Sequence, residues 1–282
     1  MTKTARSNAL LSTFLSAGAV FLLAAGGASA QSDCTPVSKF KTLEPGVLKI
    51  VAPDMPPFFT YKDGVMGGFE GLFFTKFAKD NCLTPSVTVL PLGGVVESVR
   101  NRLADVGGAG LNPTPERGKV VGLTNPIYYN AAVFVGRNPD PELENYDGKV
   151  IGTVTGFNFN KELETWGKAN LKVYDTADAA FADIKSGRLP VMLLGGLNAL
   201  YRISLVPESG LSAVDANPNP VVTSFNKKGR TNVVHTKDNP ELTEALNTAI
   251  ASMRKDGTLA KILEEVKLPA NVLIPAAEAG EN

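Results

Sequence analysis

The chain has 282 residues, and its 28 basic and 28 acidic side chains leave no net charge. This balance argues against the broad basic surface that nucleic-acid binding needs, so we expect no nucleic-acid partner. With 27 glycines and 19 prolines, the chain is long enough to bury one large or two medium cores without several disulfides.

The N-terminal segment predicts secretion. Lys3 and Arg6 precede an apolar run at residues 9–25, which ends in the small residues 28–30. This pattern is typical of a cleavable signal peptide at residues 1–30, which predicts a mature periplasmic chain that starts near Gln31. The run is too short and too rich in glycine and alanine for a good membrane span.

Two cysteines, Cys34 and Cys82, follow the predicted cleavage site. The secretory route takes both into an oxidising compartment, which favours one Cys34–Cys82 disulfide. Two unpaired buried thiols are the alternative. The residues before Cys34 lack the pattern of a lipoprotein, and the wide spacing excludes a CxxC redox or metal pair.

Strands and helices alternate along the mature chain. The apolar run at 47–52 predicts a buried strand that opens into a proline-rich loop. Periodicity predicts helices at 69–81, 94–102, 161–169, 177–186, 240–254 and 258–266, and strands at 87–90, 104–110, 131–136, 150–154, 171–174, 191–194 and 232–236. This alternation predicts an α/β protein with two lobes. The tail after Pro269 is expected to be loosely held.

Short motifs occur in a fixed order along this framework. They are Asp54-Met55-Pro56-Pro57-Phe58, residues 64–70, residues 102–105, Thr114-Pro115-Glu116-Arg117, residues 124–129, residues 148–152, Ser186-Gly187-Arg188 and residues 256–262. Together they resemble the motifs of the polar amino-acid-binding family of periplasmic solute-binding proteins, family 3. The resemblance covers nearly the whole mature chain.

The resemblance implies a two-lobed periplasmic-binding-protein fold of type II, with a mostly parallel sheet flanked by helices in each lobe. It predicts a first lobe from residues 31–134 and 232–282 and a second lobe from residues 135–231, with crossovers near 133–137 and 229–234. The implied function is capture of a small carboxylate-bearing solute for the permease of an ABC importer. We expect a monomer without a cofactor or metal.

The expected ligand-binding residues lie at strand ends and helix starts facing the cleft, and they are Met55, Leu92, Gly110, Asn112, Arg117, Phe157, Asn158 and Gly195. By the resemblance, Arg117 holds the carboxylate of the ligand in a bidentate contact. Other interpretations stay open: Arg117 as a surface residue at a helix start, Asn112 as a turn residue, Gly110 as a packing residue and Phe157 in packing between the lobes. Trp166 is expected in the core.

Several positions depart from the family pattern. Ala52 and Gly195 stand where the family has acids, and Met55 or Leu92 stands where it has an aromatic ring. Asp175, Asp178 and Asp183 are expected on an exposed helix start and face, and none is a convincing replacement. These departures lead to the hypothesis that the solute is a carboxylate without an amino group, such as a keto or aromatic acid, while amino acids stay the alternative that the family resemblance implies.

Two other functions remain as alternatives. Some members of the family are dehydratases of cyclic carboxylic acids, which need a carboxyl group in the second-lobe loop. Glu162 and Glu164 lie near this loop but are expected to be solvated, and the single His235 cannot form a triad or metal site with two distant cysteines. We therefore expect no enzyme activity. The other alternative is a sensing or accessory module that uses the same cleft.

Overall fold

A computed structural model describes residues 34–226 and 228–281. The signal peptide predicted for residues 1–30 lies outside these ranges. Within them, no helix combines the length and the apolar character needed to cross a bilayer.

The strands and helices follow the predicted alternation. The strands are β1 (Val47–Ala52), β2 (Thr60–Lys62), β3 (Val65–Gly67), β4 (Thr84–Val89), β5 (Val106–Gly107), β6 (Gly122–Leu123), β7 (Tyr128–Tyr129), β8 (Ala132–Gly136), β9 (Val150–Val154), β10 (Asn170–Tyr174), β11 (Val191–Gly195), β12 (Ser212–Asp215), β13 (Arg230–Thr231) and β14 (Val234–His235). The helices are α1 (Gly68–Asp80), α2 (Val95–Arg100), α3 (Pro115–Val120), α4 (Asn160–Trp166), α5 (Ala177–Lys185), α6 (Gly196–Ser204), α7 (Pro240–Lys255), α8 (Thr258–Glu265) and α9 (Ala276–Ala279).

The first sheet has the strand order β4-β1-β5-β14-β6. Strands β4 and β5 pair with β1 in parallel, whereas β14 runs antiparallel to its neighbours β5 and β6. All strands except β14 therefore point the same way. Helices α1 and α2 pack against this sheet, and α8 packs on α1. We call this unit the first lobe.

The second sheet has the order β10-β9-β11-β8-β12. Here β8 is the strand that runs against the others, because it pairs antiparallel with both β11 and β12. Successive residues of β8 and β11 belong to two separate apolar clusters, one on each face of the sheet. We call this sheet, with α4, α5 and α6, the second lobe. The predicted type II fold with mostly parallel sheets is confirmed.

The two lobes are joined by two short segments that pair with each other. Strands β7 and β13 are antiparallel partners, and Asn130 N donates to Gly229 O at 2.7 Å beside them. The first crossover was expected near 133–137, and this position is wrong. Residues 132–136 form β8, because their apolar side chains fill both faces of the second sheet. The predicted lobe boundaries remain a prediction.

The first lobe has a large core that includes four phenylalanines on α1: Phe69, Phe73, Phe74 and Phe77. A disulfide between Cys34 and Cys82, the predicted pair, ties the N-terminal segment to the residues just after α1. Phe40 stacks on Phe77 with ring centroids 5.5 Å apart, so the segment is also held by packing.

The C-terminal tail is held more firmly than its composition predicts. Ile274 is fully buried, and its N–H donates to Ile127 O at 3.1 Å. Arg254 of α7 donates to Ile274 O and forms an ion pair with Glu281 at 3.0 Å. The tail therefore packs beside the first crossover.

Candidate ligand-binding cleft

The cleft lies where the carboxyl ends of β1, β4 and β5 face the loop after β9 and the start of α6. Glycines allow the two walls of the cleft to approach closely. A Cβ at Gly93 would lie 2.5 Å from Thr155 Cγ2, and a Cβ at Gly156 would lie 2.8 Å from the backbone nitrogen of Gly93. Gly156 also has a φ of +95°, a conformation that favours glycine. The two lobes therefore touch along one side of the cleft.

Arg117 bridges the two lobes. It lies on α3, where the hydroxyl of Thr114 caps the helix by accepting from Arg117 N at 3.1 Å. One terminal nitrogen of its guanidinium donates to Asn112 O in the first lobe, and the other donates to Gly156 O in the second lobe at 2.7 Å. Sequence analysis placed this residue in the cleft but did not predict the bridge.

The Arg117 guanidinium has no acidic partner among the residues that the structure describes. Burial lowers its pKa to about 10, so it is still a cation at neutral pH. Two of its five N–H donors contact carbonyls, which leaves three for a ligand. Among the described residues, Arg117 is therefore a cation between the lobes that no acidic side chain neutralises through an ion pair.

The loop after β5 is organised by a buried acid, Glu70 at the start of α1. Its carboxylate accepts from the Tyr128 hydroxyl at 2.5 Å, from Gly110 N at 2.9 Å and from Ala109 N. A Cβ at Gly108 would lie 2.2 Å from this carboxylate, so only glycine fits. Burial raises the pKa of Glu70 despite its three donors. The N–H groups of residues 109 and 110 are thus directed at Glu70.

Replacing Glu70 with glutamine is expected to lower the free energy of unfolding at neutral pH by about 1–3 kcal/mol. Glutamine has one acceptor oxygen for the three donors, and its amino group faces an N–H or O–H donor. Denaturant unfolding measures the change. Glu97→Gln, at an exposed site on α2, is the control and should change stability by less than about 0.5 kcal/mol. An equally small effect of Glu70→Gln would mean that the Glu70 carboxyl is protonated at neutral pH.

The remaining predicted residues occupy different parts of the lobe interface. Met55 and Leu92 are buried, with exposed fractions of 3% and 4%, and Gly110 packs against the Phe58 ring. Phe157 is half-buried, stacks on Phe159 with centroids 5.0 Å apart, and contacts the cores of both lobes.

Asn112 and Asn158 line a groove of about 770 Å³ between the lobes, next to Arg117. The Oδ1 atom of Asn112 is buried without a hydrogen-bond partner, whereas the Asn158 amide donates to Ser224 Oγ at 2.9 Å. The groove is otherwise lined by residues 113–116, 161, 162, 165, 223, 224, 226 and 228–230. Of the eight predicted residues, only these two asparagines line this groove.

Gly195, the last predicted residue, ends β11 and precedes α6. The space beside it is filled by Asn130, a residue that sequence analysis did not single out. A Cβ at Gly195 would lie 2.7 Å from Asn130 Nδ2, and Asn130 Oδ1 accepts from Leu197 N at 3.2 Å. The asparagine of the first crossover thus caps α6 in place of a side chain at position 195.

A second polar contact joins the lobes on the first turn of α6. The Asn198 side chain donates to Pro56 O in the first lobe. Arg202 donates to Asn198 Oδ1 at 3.0 Å and forms an ion pair with Asp178, so the amide is held in one orientation. Asp178 is therefore engaged within the second lobe, as is Asp183, which pairs with Lys172 and Arg188.

Of the groups considered for catalysis, Glu162 and His235 have structural partners. Glu162 accepts from Thr223 Oγ1 at 2.7 Å and from Ser224 N at 3.0 Å, and Glu164 is exposed. His235 is buried in β14, between Thr236 O and the Thr243 hydroxyl, and burial lowers its pKa. Trp166 lies in the core of the second lobe, as expected.

Residues 48–266 match the family of bacterial extracellular solute-binding proteins, family 3. The chain belongs to this family. The match covers more than half of the sequence and includes both lobes and both crossovers.

Relatives within the family have names that refer to amino acids. The chain is 28% identical to ABC transporter arginine-binding protein 1 of Escherichia coli (strain K12), over 61% of this chain and 69% of the relative. It is also 28% identical to the L-cystine-binding protein TcyJ of Escherichia coli (strain K12), over 74% of this chain and 78% of the relative. The histidine-binding periplasmic protein of Escherichia coli (strain K12) is 25% identical over 62% of this chain and 69% of the relative.

Solved structures have the same fold. An ancestral arginine-binding protein bound to arginine has a TM-score of 0.69 and 25% identity, over 78% of this chain and 97% of that one. The substrate-binding protein AbpA from Streptococcus pneumoniae, bound to L-arginine, has a TM-score of 0.70 and 21% identity, over 80% of this chain and 96% of that one.

Proposed function

We propose that this chain is the periplasmic solute-binding component of an ABC importer, and that it binds a small carboxylate-bearing solute between its lobes. Family membership supports the proposal, as do the names of relatives that bind arginine, cystine and histidine. The predicted signal peptide supports the periplasmic location.

The observation that carries the proposal is the unneutralised cation of Arg117 between the lobes. A planar guanidinium with free donors matches a carboxylate, which can accept two parallel hydrogen bonds. Arg117 already contacts carbonyls of both lobes, so a carboxylate bound to it is stabilised by the closed arrangement. Ligand binding then favours closure, because the ligand has a higher affinity for the closed state than for the open one.

The two crossovers supply a hinge for this closure. Strands β7 and β13 are two residues each, and they form the short paired connection between the two sheets. The contacts that break on opening include the hydrogen bonds of Arg117 with Gly156 O and of Asn198 with Pro56 O, the glycine contacts around Gly93, and the packing of Phe157 and Leu197 on the first lobe. In this proposal the closed protein docks on the permease of the inner membrane as a monomer and performs no catalysis.

A thermal-shift screen tests the proposal on protein that has been unfolded, dialysed and refolded to remove bound solute. Amino acids, keto acids and aromatic acids are compared with their uncharged carboxamides. At a ligand concentration about 100 times Kd, a binding acid should raise Tm by roughly 5–10 °C. Its carboxamide should shift Tm far less. An equal shift by the carboxamide, or a screen in which no carboxylate shifts Tm, would contradict a carboxylate site at Arg117.

A further inference from the structure

The start of α6 belongs to the lobe interface and faces the first lobe near the Met55 turn. Leu197 packs into the core of the first lobe although it lies on α6, and Asn198 donates to Pro56 O across the cleft. Gly195 and Gly196 immediately precede these two residues. This corner, which we call the α6 corner (residues 195–198 with Asn130), therefore lies at the boundary between the lobes.

The α6 corner offers hydrogen-bond donors. Asn130 Oδ1 is already used by Leu197 N, which fixes the orientation of the amide and leaves Nδ2 as the group beside Gly195. Gly195 has no side chain that supplies an oxygen. An ammonium group has only donors and needs acceptors, so it would face the Asn130 amino group here without a partner. An anion or a carbonyl oxygen suits the same corner.

Several acidic side chains near the cleft are engaged elsewhere, and the two that line the groove, Glu116 and Glu162, share its lining with three cations, Lys161, Lys228 and Arg230. The carboxylate of Glu70 accepts three hydrogen bonds behind the glycine loop, and Asp178 pairs with Arg202. Asp54, next to Met55 in the sequence, is exposed. Within the described residues, Arg117 has no ion-pair partner and cations outnumber acids along the groove, so a zwitterion would add a further cation to a cleft that already carries positive charge.

We infer that the solute is a carboxylic acid without an ammonium group, with an apolar body that contacts Met55, Leu92 and Phe157. This inference rests on the proposed function, because it assumes that the carboxylate binds at Arg117. It distinguishes this chain from the relatives whose names refer to arginine, cystine and histidine. The carboxylate neutralises Arg117, and a solute without an ammonium group places no unpaired donor against Asn130 Nδ2.

Calorimetry with matched compounds tests the inference on the refolded protein. The aromatic set is L-phenylalanine, 3-phenylpropanoate and phenylpyruvate, the branched set is L-leucine, 4-methylpentanoate and 4-methyl-2-oxopentanoate, and the short set is L-alanine, propanoate and pyruvate. In the set that binds best, the acid without an amino group should bind at least about tenfold more tightly than the amino acid. Tighter binding of the amino acid would overturn the inference and leave the proposed function standing. Binding by no carboxylate in any set would overturn both.

A pair of variants assigns the preference to the α6 corner. Gly195 has φ −70° and ψ 135°, a backbone conformation that any residue can adopt. The Asn130 amide, however, occupies the space that a Cβ atom at position 195 would need. Gly195→Asp combined with Asn130→Ala removes the block, and the new carboxylate can cap α6 and accept from an ammonium group. The relative affinity for the amino acid should rise at least about tenfold.

Asn130→Ala alone is the control, because it removes the donor without adding an acid and should give no gain in amino-acid affinity. Circular dichroism checks that both variants are folded. A folded double variant with an unchanged preference would overturn the role of the α6 corner. The matched compounds on the unaltered protein decide the inference even when the double variant does not fold.

Discussion

Replacing Arg117 with alanine is expected to weaken solute binding by about 2–5 kcal/mol, or roughly 30- to 5,000-fold in Kd. The variant removes the cation that we propose as the carboxylate partner, and with it a charge-assisted contact to the ligand. It also removes the hydrogen bond from the first lobe to Gly156 O, so the closed state loses one of its contacts. Calorimetry and the ligand-dependent shift in Tm measure the loss.

Two further variants separate binding from folding. Arg117→Lys keeps the positive charge but lacks the planar guanidinium that donates two parallel hydrogen bonds. Its affinity for the solute should lie between those of Arg117→Ala and the unaltered protein. Arg100→Ala removes an exposed cation on α2, distant from the cleft, and should leave the affinity for the solute unchanged. The carbonyls released in Arg117→Ala can bind water, so the unliganded protein should stay folded. A full ligand-dependent Tm shift in Arg117→Ala would show that the carboxylate does not bind there.

Sequence pattern predicts the strands that are mostly apolar and lie close to a strand-ending residue. The boundaries of β9 are those expected, and β1 matches residues 47–52, because Pro53 follows β1 and Gly156 lies two residues after β9. Helix α7 begins as expected at Pro240, where the Asn239 side chain accepts from Leu242 N at 3.1 Å. Local chemistry is sufficient in these segments, so tertiary contacts were not needed to predict them.

Helix α6 was missed for a physical reason. Its buried residues include Asn198, which donates to Pro56 O in the first lobe, and Arg202, which donates to Asn198 Oδ1. Polar residues on the buried face interrupt the apolar repeat by which a helix is recognised. The first crossover was misplaced because the apolar residues of β8 follow Tyr128–Tyr129 closely, and hydrophobicity does not show where the chain changes sheets.

The candidate site was partly predictable. Motif order placed Arg117, Asn112 and the glycine loop, but the structure adds Glu70 and Asn130. Their partners lie far along the sequence: Glu70 bonds to Tyr128 at a separation of 58 residues, and Asn130 bonds to Leu197 at a separation of 67 residues. Such contacts form only when both lobes are folded. One local signal did exist for Glu70, since it follows Phe69 on a helix whose neighbouring residues are buried.

Removing the disulfide by replacing both Cys34 and Cys82 with serine is expected to lower the free energy of unfolding by about 2–4 kcal/mol. The cysteines are 48 residues apart. The loop-closure entropy of a cross-link over this separation stabilises the folded state by about 4 kcal/mol, because it restricts the unfolded chain. The measured loss of stability should be smaller than this roughly 4 kcal/mol, because residual structure in the unfolded variant and relaxation of its folded state offset part of the entropy change.

Several contacts of the N-terminal segment do not depend on the disulfide, so the variant should stay folded. Val37 N donates to Asp80 O at 3.0 Å, and Ser38 N donates to Asn81 Oδ1 at 2.9 Å. The disulfide lies at the end of α1, beside the amino-terminal ends of β1 and β4. The cleft lies at the opposite, carboxyl ends of these strands. Solute affinity should consequently change by less than about twofold, whereas stability falls.

Denaturant unfolding with and without reductant provides the measurement. The unaltered protein should lose stability on reduction, and the double serine variant should be insensitive to the reductant, because it has no other cysteine. Thiol titration of the unaltered protein, unfolded without reductant, should find no free thiol. Two free thiols, or equal stability of variant and unaltered protein, would show that the cross-link does not stabilise the folded chain.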